Sequence, residues 1–372
     1  MSTSCASRAR AVRSRADQPF RARAPRENVL STSNPTAWSF ETRQVHAGAR
    51  PDPTTGARAT PIHPPGASPN PTQDVLERRV AALEGGVAAV ACASGRAATV
   101  LAVLAAARPG DHVVASDADL FRRTVPELGI EVTVVEEPDG WAAAVRPNTK
   151  LFFAEALGPR GAVLDVRAVA DAAHAAGVPL VVDNTVPTPY LLRPIEHGAD
   201  VVVHSAAAFL GGHGTARGGV VVTSGDVQWR ESPDLGSVIS PQDCFLLLQG
   251  IETLSLRMER HVQNAQAVAE WLEARADVRQ VHYAGLPSSP WHAAAQRYLP
   301  KGAGAVVAFE LAGGAASRFL DALELHGDLG DVGDVRSQAV QQGDVIRLSV
   351  GLEGVEDITA DLDAGFRAAK DD

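Results

Sequence analysis

Apolar positions along this chain alternate between two rhythms. Short runs rich in Val, Leu and Ala, ended by polar or turn-forming residues, occur at His112–Ser116, Ile130–Val135, Leu151–Ala154, Val178–Val182, Ala199–Val203 and Gly218–Thr223. Their nearly unbroken apolar character predicts strands buried on both faces. Between them apolar residues recur at helical spacing. Leu76, Val80 and Leu83 predict a helix that Thr72 can cap and Gly85 can close, and Val166–Ala176 predicts another. Val87–Ala107 approaches membrane-spanning length, but Ser94, Gly95 and Arg96 interrupt its first half, so it reads as a strand, a glycine turn and a buried helix. Strands alternating with helices imply a mainly parallel sheet covered on both faces.

The pattern changes at both ends. Residues 1 to about 38 are rich in Arg, Ala and Ser and lack apolar periodicity, so they read as a disordered tail, though the composition also suits a transit peptide. Residues 41–70 form an arm that Pro and Gly keep non-helical. A large domain over 71–242 follows. One long amphipathic helix from Cys244 to about Ala274, within a linking segment 243–277, joins it to a smaller domain over 278–372. That domain is expected to carry strands near Val281, at Ala305–Leu311 and at Val345–Val350, with helices at Ala316–Leu323 and Val355–Ala369.

Composition narrows the function classes. The chain has 372 residues, enough for two domains with substantial cores. A formal charge of -10 argues against a nucleic-acid partner. No membrane span is expected. Cys5, Cys92 and Cys244 are scattered without motif spacing, which suits a reducing compartment, so the expectation is a cytoplasmic protein.

Candidate chemistry collects where strands end. Val178–Val182 delivers Asp183, Ala199–Val203 delivers His204 and Ser205, and Ser94–Gly95 lies between a strand and a helix, where N–H groups can face an anion. The segments VVDNT and HSAAAFLGGHG resemble the Cys/Met-metabolism family of pyridoxal phosphate (PLP) enzymes, which includes cystathionine γ-synthase and O-acetylhomoserine sulfhydrylase. ETRQVHAG, FLLLQGIETLSLRMERHV and IRLSVGLE extend the resemblance over residues 41–369 and favour the sulfhydrylase branch of trans-sulfuration.

The resemblance implies the aspartate aminotransferase-like fold (PLP-dependent transferase fold type I), a large domain with a mainly parallel sheet and a smaller α+β domain. It implies Asp183 on the pyridine nitrogen, Gly95 and Arg96 at the phosphate, Ser205 beside them and Phe121 stacked on the ring. Phe121 reads equally well as a core residue. Ser337 and Arg347 match residues that hold the substrate carboxylate, and a guanidinium fork suits that task. The family's Schiff-base lysine falls at Ala208, which leaves no catalytic residue to assign.

Other family features are also missing. His63–Pro69 lacks the Tyr-x-Arg pair, Gly158–Arg160 lacks an Asn, and Gln338–Gly343 replaces a longer loop. The three lysines, Lys150, Lys301 and Lys370, sit in text far from the motif. These losses imply PLP held non-covalently or not at all, in an accessory subunit that forms a homodimer or tetramer or pairs with an intact paralogue, with an amino-acid ligand. An active PLP-dependent lyase or transferase with altered chemistry is the alternative. His204 and His213 read as structural, and no metal-ligand spacing accompanies them.

Overall fold

A computed structural model describes residues 38–66, 70–116, 119–135, 140–225, 238–313, 315–328 and 332–370. The tail assigned to residues 1–40 therefore lies almost wholly outside the described residues. The large domain contains α1 (Phe40–His46), α2 (Pro71–Glu84), β1 (Ala88–Cys92), α3 (Gly95–Ala106), β2 (His112–Ser116), α4 (Asp119–Arg122), α5 (Thr124–Glu127), β3 (Glu131–Val135), α6 (Gly140–Ala143), β4 (Thr149–Glu155), α7 (Val166–Ala175), β5 (Leu180–Asp183), α8 (Thr188–Leu191), β6 (Val201–Ser205) and β7 (Gly219–Thr223). After these come α9 (Pro241–Ile251), α10 (Leu254–Glu273), β8 (Val278–His282), α11 (His292–Tyr298), β9 (Val306–Leu311), α12 (Ala316–Asp321), β10 (Gly327–Asp328), β11 (Gln338–Gln342), β12 (Val345–Ser349) and α13 (Val355–Lys370).

Seven strands form the large sheet in the order β1-β7-β6-β5-β4-β2-β3. It is parallel from β6 to β3, and β7 runs antiparallel to both β6 and β1. Alternate residues of each strand enter opposite layers, as pleating requires. Val181, Val201 and Val203 pack with Ala98, Ala102 and Val103 of α3, whereas Val182, Val202 and Val222 join the core beneath α2 and α7. This two-sided burial explains why the strands are apolar throughout. The smaller sheet runs β10-β11-β12-β9-β8, with Phe309, Phe319 and Phe366 stacked between β9, α12 and α13.

Three local expectations are corrected. The arm is not wholly non-helical, because α1 forms over Phe40–His46. Ser39 caps it, and Gln44 docks it on α10 by donating Nε2–H to Ser255 Oγ at 2.9 Å while accepting from Ser255 N–H at 3.0 Å. Arg79, fully buried, completes the anchor by donating to the carbonyls of Ala47 (2.6 Å) and Gln44 (2.7 Å).

Asn70, not Thr72, caps α2, since the Thr72 hydroxyl is committed to Pro61 O and His63 N–H. Gly85 does close that helix in the left-handed conformation, φ 78°. The single linking helix is in fact α9 and α10. The Gly250 carbonyl accepts from Thr253 N–H (3.2 Å) and Arg257 Nη2 (2.8 Å), so the backbone bond that would continue the helix is replaced.

Candidate functional site

The carboxyl edge of the parallel strands is the focus. Glu155 and Asp183 end neighbouring strands β4 and β5 in register. Asp183 Oδ1 accepts the Thr185 N–H at 2.9 Å, and Thr185 Oγ1 accepts the Ser205 N–H at 2.8 Å. Thr185, which the sequence reading passed over, therefore ties the two strand ends together.

Across from them lies the Ser94–Gly95 turn. Ser94 caps α3 by accepting from Ala97 N–H at 3.1 Å, and the first-turn N–H groups have no acceptor within the helix. A side chain at Gly95 would place Cβ 2.6 Å from Ser205 Cβ and 2.7 Å from its Cα, so only glycine permits this approach. Gly95, Asp183 and Ser205 are thus brought together, and Arg96 sits exposed on the first turn of α3.

After Ser205 the chain makes a π-helical turn over Ala206–Leu210, with a non-helical kink at Ala208 (φ −68°, ψ −137°). Gly212 N–H donates to Ala208 O at 2.7 Å. Ala208 itself is buried. The turn is clamped from three sides. A Cβ at Gly333 would lie 2.5 Å from Phe209 N, and one at Gly250 would lie 2.2 Å from Gly211 O. Arg257, 5% exposed, donates to Phe209 O (2.8 Å), Leu210 O (3.1 Å), Gly250 O (2.8 Å) and Thr253 Oγ1 (3.3 Å). All four acceptors are neutral, and burial pulls its pKa down to about 10.

The small domain closes on the same turn, because Val335 N–H donates to Gly212 O at 2.9 Å. Ser337, in the same segment, is fully buried. Its N–H and hydroxyl donate to Glu353 Oε1 (2.6 Å) and Oε2 (2.9 Å), and its oxygen accepts from Gly351 N–H at 2.9 Å. In this conformation the hydroxyl's one donor is engaged within the loop. Arg347 is partly buried on β12, in register with Val340 and Ala308. Phe121 is 1% exposed, its ring 4.5 Å from that of Phe153. In this conformation it is a core residue with no open face for stacking.

His204 donates to Glu84 Oε1 at 2.6 Å, both side chains being fully buried, and Asn184 Nδ2 donates to the same oxygen at 2.9 Å. Glu84, another residue not anticipated, thereby braces the ends of β5 and β6 from behind. The lysines lie elsewhere. Lys150 is at the amino end of β4 and Glu155 at its carboxyl end. Lys301 Nζ sits 4.0 Å from the Tyr190 ring centroid, on the side of α1, and Lys370 pairs with Asp277 at 2.6 Å.

The family described as Cys/Met-metabolism PLP-dependent enzymes matches residues 66–343. The chain belongs to this family. It is 39% identical to the O-acetyl-L-homoserine sulfhydrylase of Corynebacterium glutamicum, over 90% of this chain and 98% of that one. To the homocysteine synthase of Schizosaccharomyces pombe it is 37% identical, over 89% of this chain and 98% of that one.

Among solved structures it resembles one assigned as an O-acetylhomoserine (thiol)-lyase of Campylobacter jejuni, with TM-score 0.84 and 30% identity over 89% of this chain and all of that one. That structure carries a pyridoxyl-lysine monophosphate. The metB protein of Corynebacterium glutamicum gives TM-score 0.82 and 32% identity over 90% of this chain and 99% of that one.

The fold is therefore that of the PLP-dependent trans-sulfuration enzymes, whose cofactor is PLP. The first alignment is 430 positions long. Since 90% of 372 residues is about 335, about 95 of its positions have no counterpart here.

Proposed function

We propose that this family member of sulfur amino-acid metabolism has lost covalent PLP catalysis and acts as a non-catalytic or accessory subunit, paired with itself or with an intact paralogue. One observation carries the reading: position 208, where the family motif sets its lysine, bears a methyl group, while Lys150 lies at the amino end of β4, Lys301 lies over Tyr190 and Lys370 pairs with Asp277. PLP supplies an electrophilic aldehyde and an electron sink, and enzymes that use it recruit a lysine amine for covalent capture and proton transfer. A positioned base alone is worth about 10² to 10⁴ in rate.

The residues fit the cofactor only in part. The Gly95 turn, packed against Ser205, suits a phosphate, and Asp183 suits a pyridine nitrogen. Nothing fits covalent attachment. Retention of that half of the site favours non-covalent binding of PLP over its complete loss.

The test uses purified full-length protein with PLP. Saturable binding is expected, with no pyridoxyl group fixed to any peptide after borohydride reduction. A borohydride-fixed peptide of this chain, or O-acetylhomoserine turnover with sulfide on adding PLP alone, would sink the proposal and favour an active enzyme of altered chemistry. Activity that appears only on mixing with an intact paralogue would place this chain as its accessory subunit.

A further inference from the structure

The small domain carries a concave feature remote from the Ala208 turn in sequence. A cavity of about 390 Å³ is lined by all five residues of β8, by Arg160 and Glu273, and by the turn Ser288–Trp291. Successive residues of a strand point to opposite faces of its sheet. A cavity touched by five consecutive residues must therefore run along the edge of the strand rather than over one face. β8 ends the strand order of the smaller sheet, and β9 is its one partner among the described strands. Such an edge presents a row of N–H and C=O groups to whatever fills the groove.

The groove is polar at one side and apolar at the other. Glu310 of β9, 6% exposed, is not itself a lining residue but anchors three that are. It accepts from Arg279 Nε at 2.7 Å and from His282 Nε2 at 3.0 Å, and Arg160 Nη1 approaches to 3.6 Å. The side chains of Arg160 and Arg279 are 52% and 61% exposed. Arg160 Nη2 also donates to Asp344 Oδ1 at 2.6 Å, and each guanidinium has five N–H donors, more than Glu310 and Asp344 can occupy. Glu310 fixes Arg279 and Asp344 fixes Arg160, which leaves both guanidiniums near Glu310 with donors to spare for a carboxylate. Trp291, Pro290, Val278 and Val281 offer the apolar side.

We propose that the free edge of β8 is a docking groove for an extended, carboxylate-bearing peptide of a partner protein, which adds as a further strand and places its acid on Arg160 and Arg279. Five residues at about 3.3 Å each set the length of the recognised segment. The volume lies within the roughly 300–1,000 Å³ of ligand sites, and edge-strand addition is a recurrent mode of peptide recognition. The opposing reading is defensive: the irregularity between Val278 and Gln280 and the charge of Arg279 are devices that keep sheet edges from pairing.

Fluorescence anisotropy of the full chain with fluorescein-labelled Thr-Val-Thr-Val-Glu, carrying a free carboxyl terminus, separates the two. Saturable binding is expected. It should weaken at least tenfold for an amidated peptide ending in Lys and for a peptide N-methylated at alternate residues, which cannot complete a ladder. Arg279→Glu and Trp291→Ala should each weaken it at least tenfold, while Arg367→Glu on α13 leaves it unchanged, with thermal unfolding compared across all three. No saturable binding, equal binding of the N-methylated peptide, or indifference to both Arg279→Glu and Trp291→Ala overturns the proposal. Sedimentation in which Arg279→Glu, without peptide, alters the protein's own oligomeric state would instead give the groove to a second copy of this chain and overturn it equally.

Discussion

Replacing Arg257 by Met tests whether the turn around Ala208 is a built frame or an incidental loop. The guanidinium is buried and donates four hydrogen bonds, three to backbone carbonyls at 2.8, 3.1 and 2.8 Å and one to Thr253 Oγ1 at 3.3 Å. Bonds from a charged donor contribute about 1.5 kcal/mol each at the low end, roughly 6 kcal/mol together. Against this stands the cost of burying the charge. Its pKa, brought from 12.5 to about 10 by desolvation, corresponds to about 3 kcal/mol at 1.36 kcal/mol per unit.

Met matches the stem but returns nothing to three buried carbonyls, so a net destabilisation of about 3 kcal/mol is expected. Urea unfolding at constant m-value measures it, and hydrogen exchange of the Gly211 and Gly212 amides, which donate to Ala206 O and Ala208 O, should accelerate in parallel. A loss below about 1 kcal/mol with unchanged exchange would refute the idea that Arg257 holds the turn, since the desolvation relief would then equal the hydrogen bonds lost.

His261 donates Nδ1–H to Val350 O at 2.7 Å, and burial pushes its pKa down to about 4. Its neutral form is favoured in the fold, so its contribution is fully present above the unfolded pKa of about 6.5 and is lost as pH falls towards 4, worth about 3 kcal/mol at full shift. His261→Gln should flatten stability against pH across that window, and parallel curves for the two proteins would contradict this. Gly95→Ala puts a Cβ 2.6 Å from Ser205 and should cost about 1–3 kcal/mol of stability and weaken PLP binding, read by urea unfolding and by titration. Asp183→Ala should weaken PLP binding at least tenfold with little loss of stability; unchanged affinity would remove its assigned role.

Much of the architecture was legible because burial leaves a periodic imprint. β2 falls where its apolar run does, and β3 to β7 differ by a residue or two. The helix Val355–Lys370 likewise follows its apolar stripe, and the structure brings Gly95, Asp183 and Ser205, singled out by the family words, close to one another. Errors arose where a local signal competed with a distant partner. Thr72 resembles a cap, but its hydroxyl is taken by Pro61 and His63. The α9–α10 text is helical throughout, yet Arg257 draws the Gly250 carbonyl out of the ladder.

The sequence alone determined that a methyl group stands at position 208 and that the chain has three lysines, because identity and number are properties of the text. Only the tertiary structure decided where those amines lie, that Phe121 is enclosed against Phe153, and that β8 is left at a sheet edge beside two guanidiniums. The reason is physical. Periodicity records which residues leave water, whereas the partner each one meets depends on contacts between segments up to hundreds of residues apart, such as Gln44 with Ser255 or Glu84 with His204.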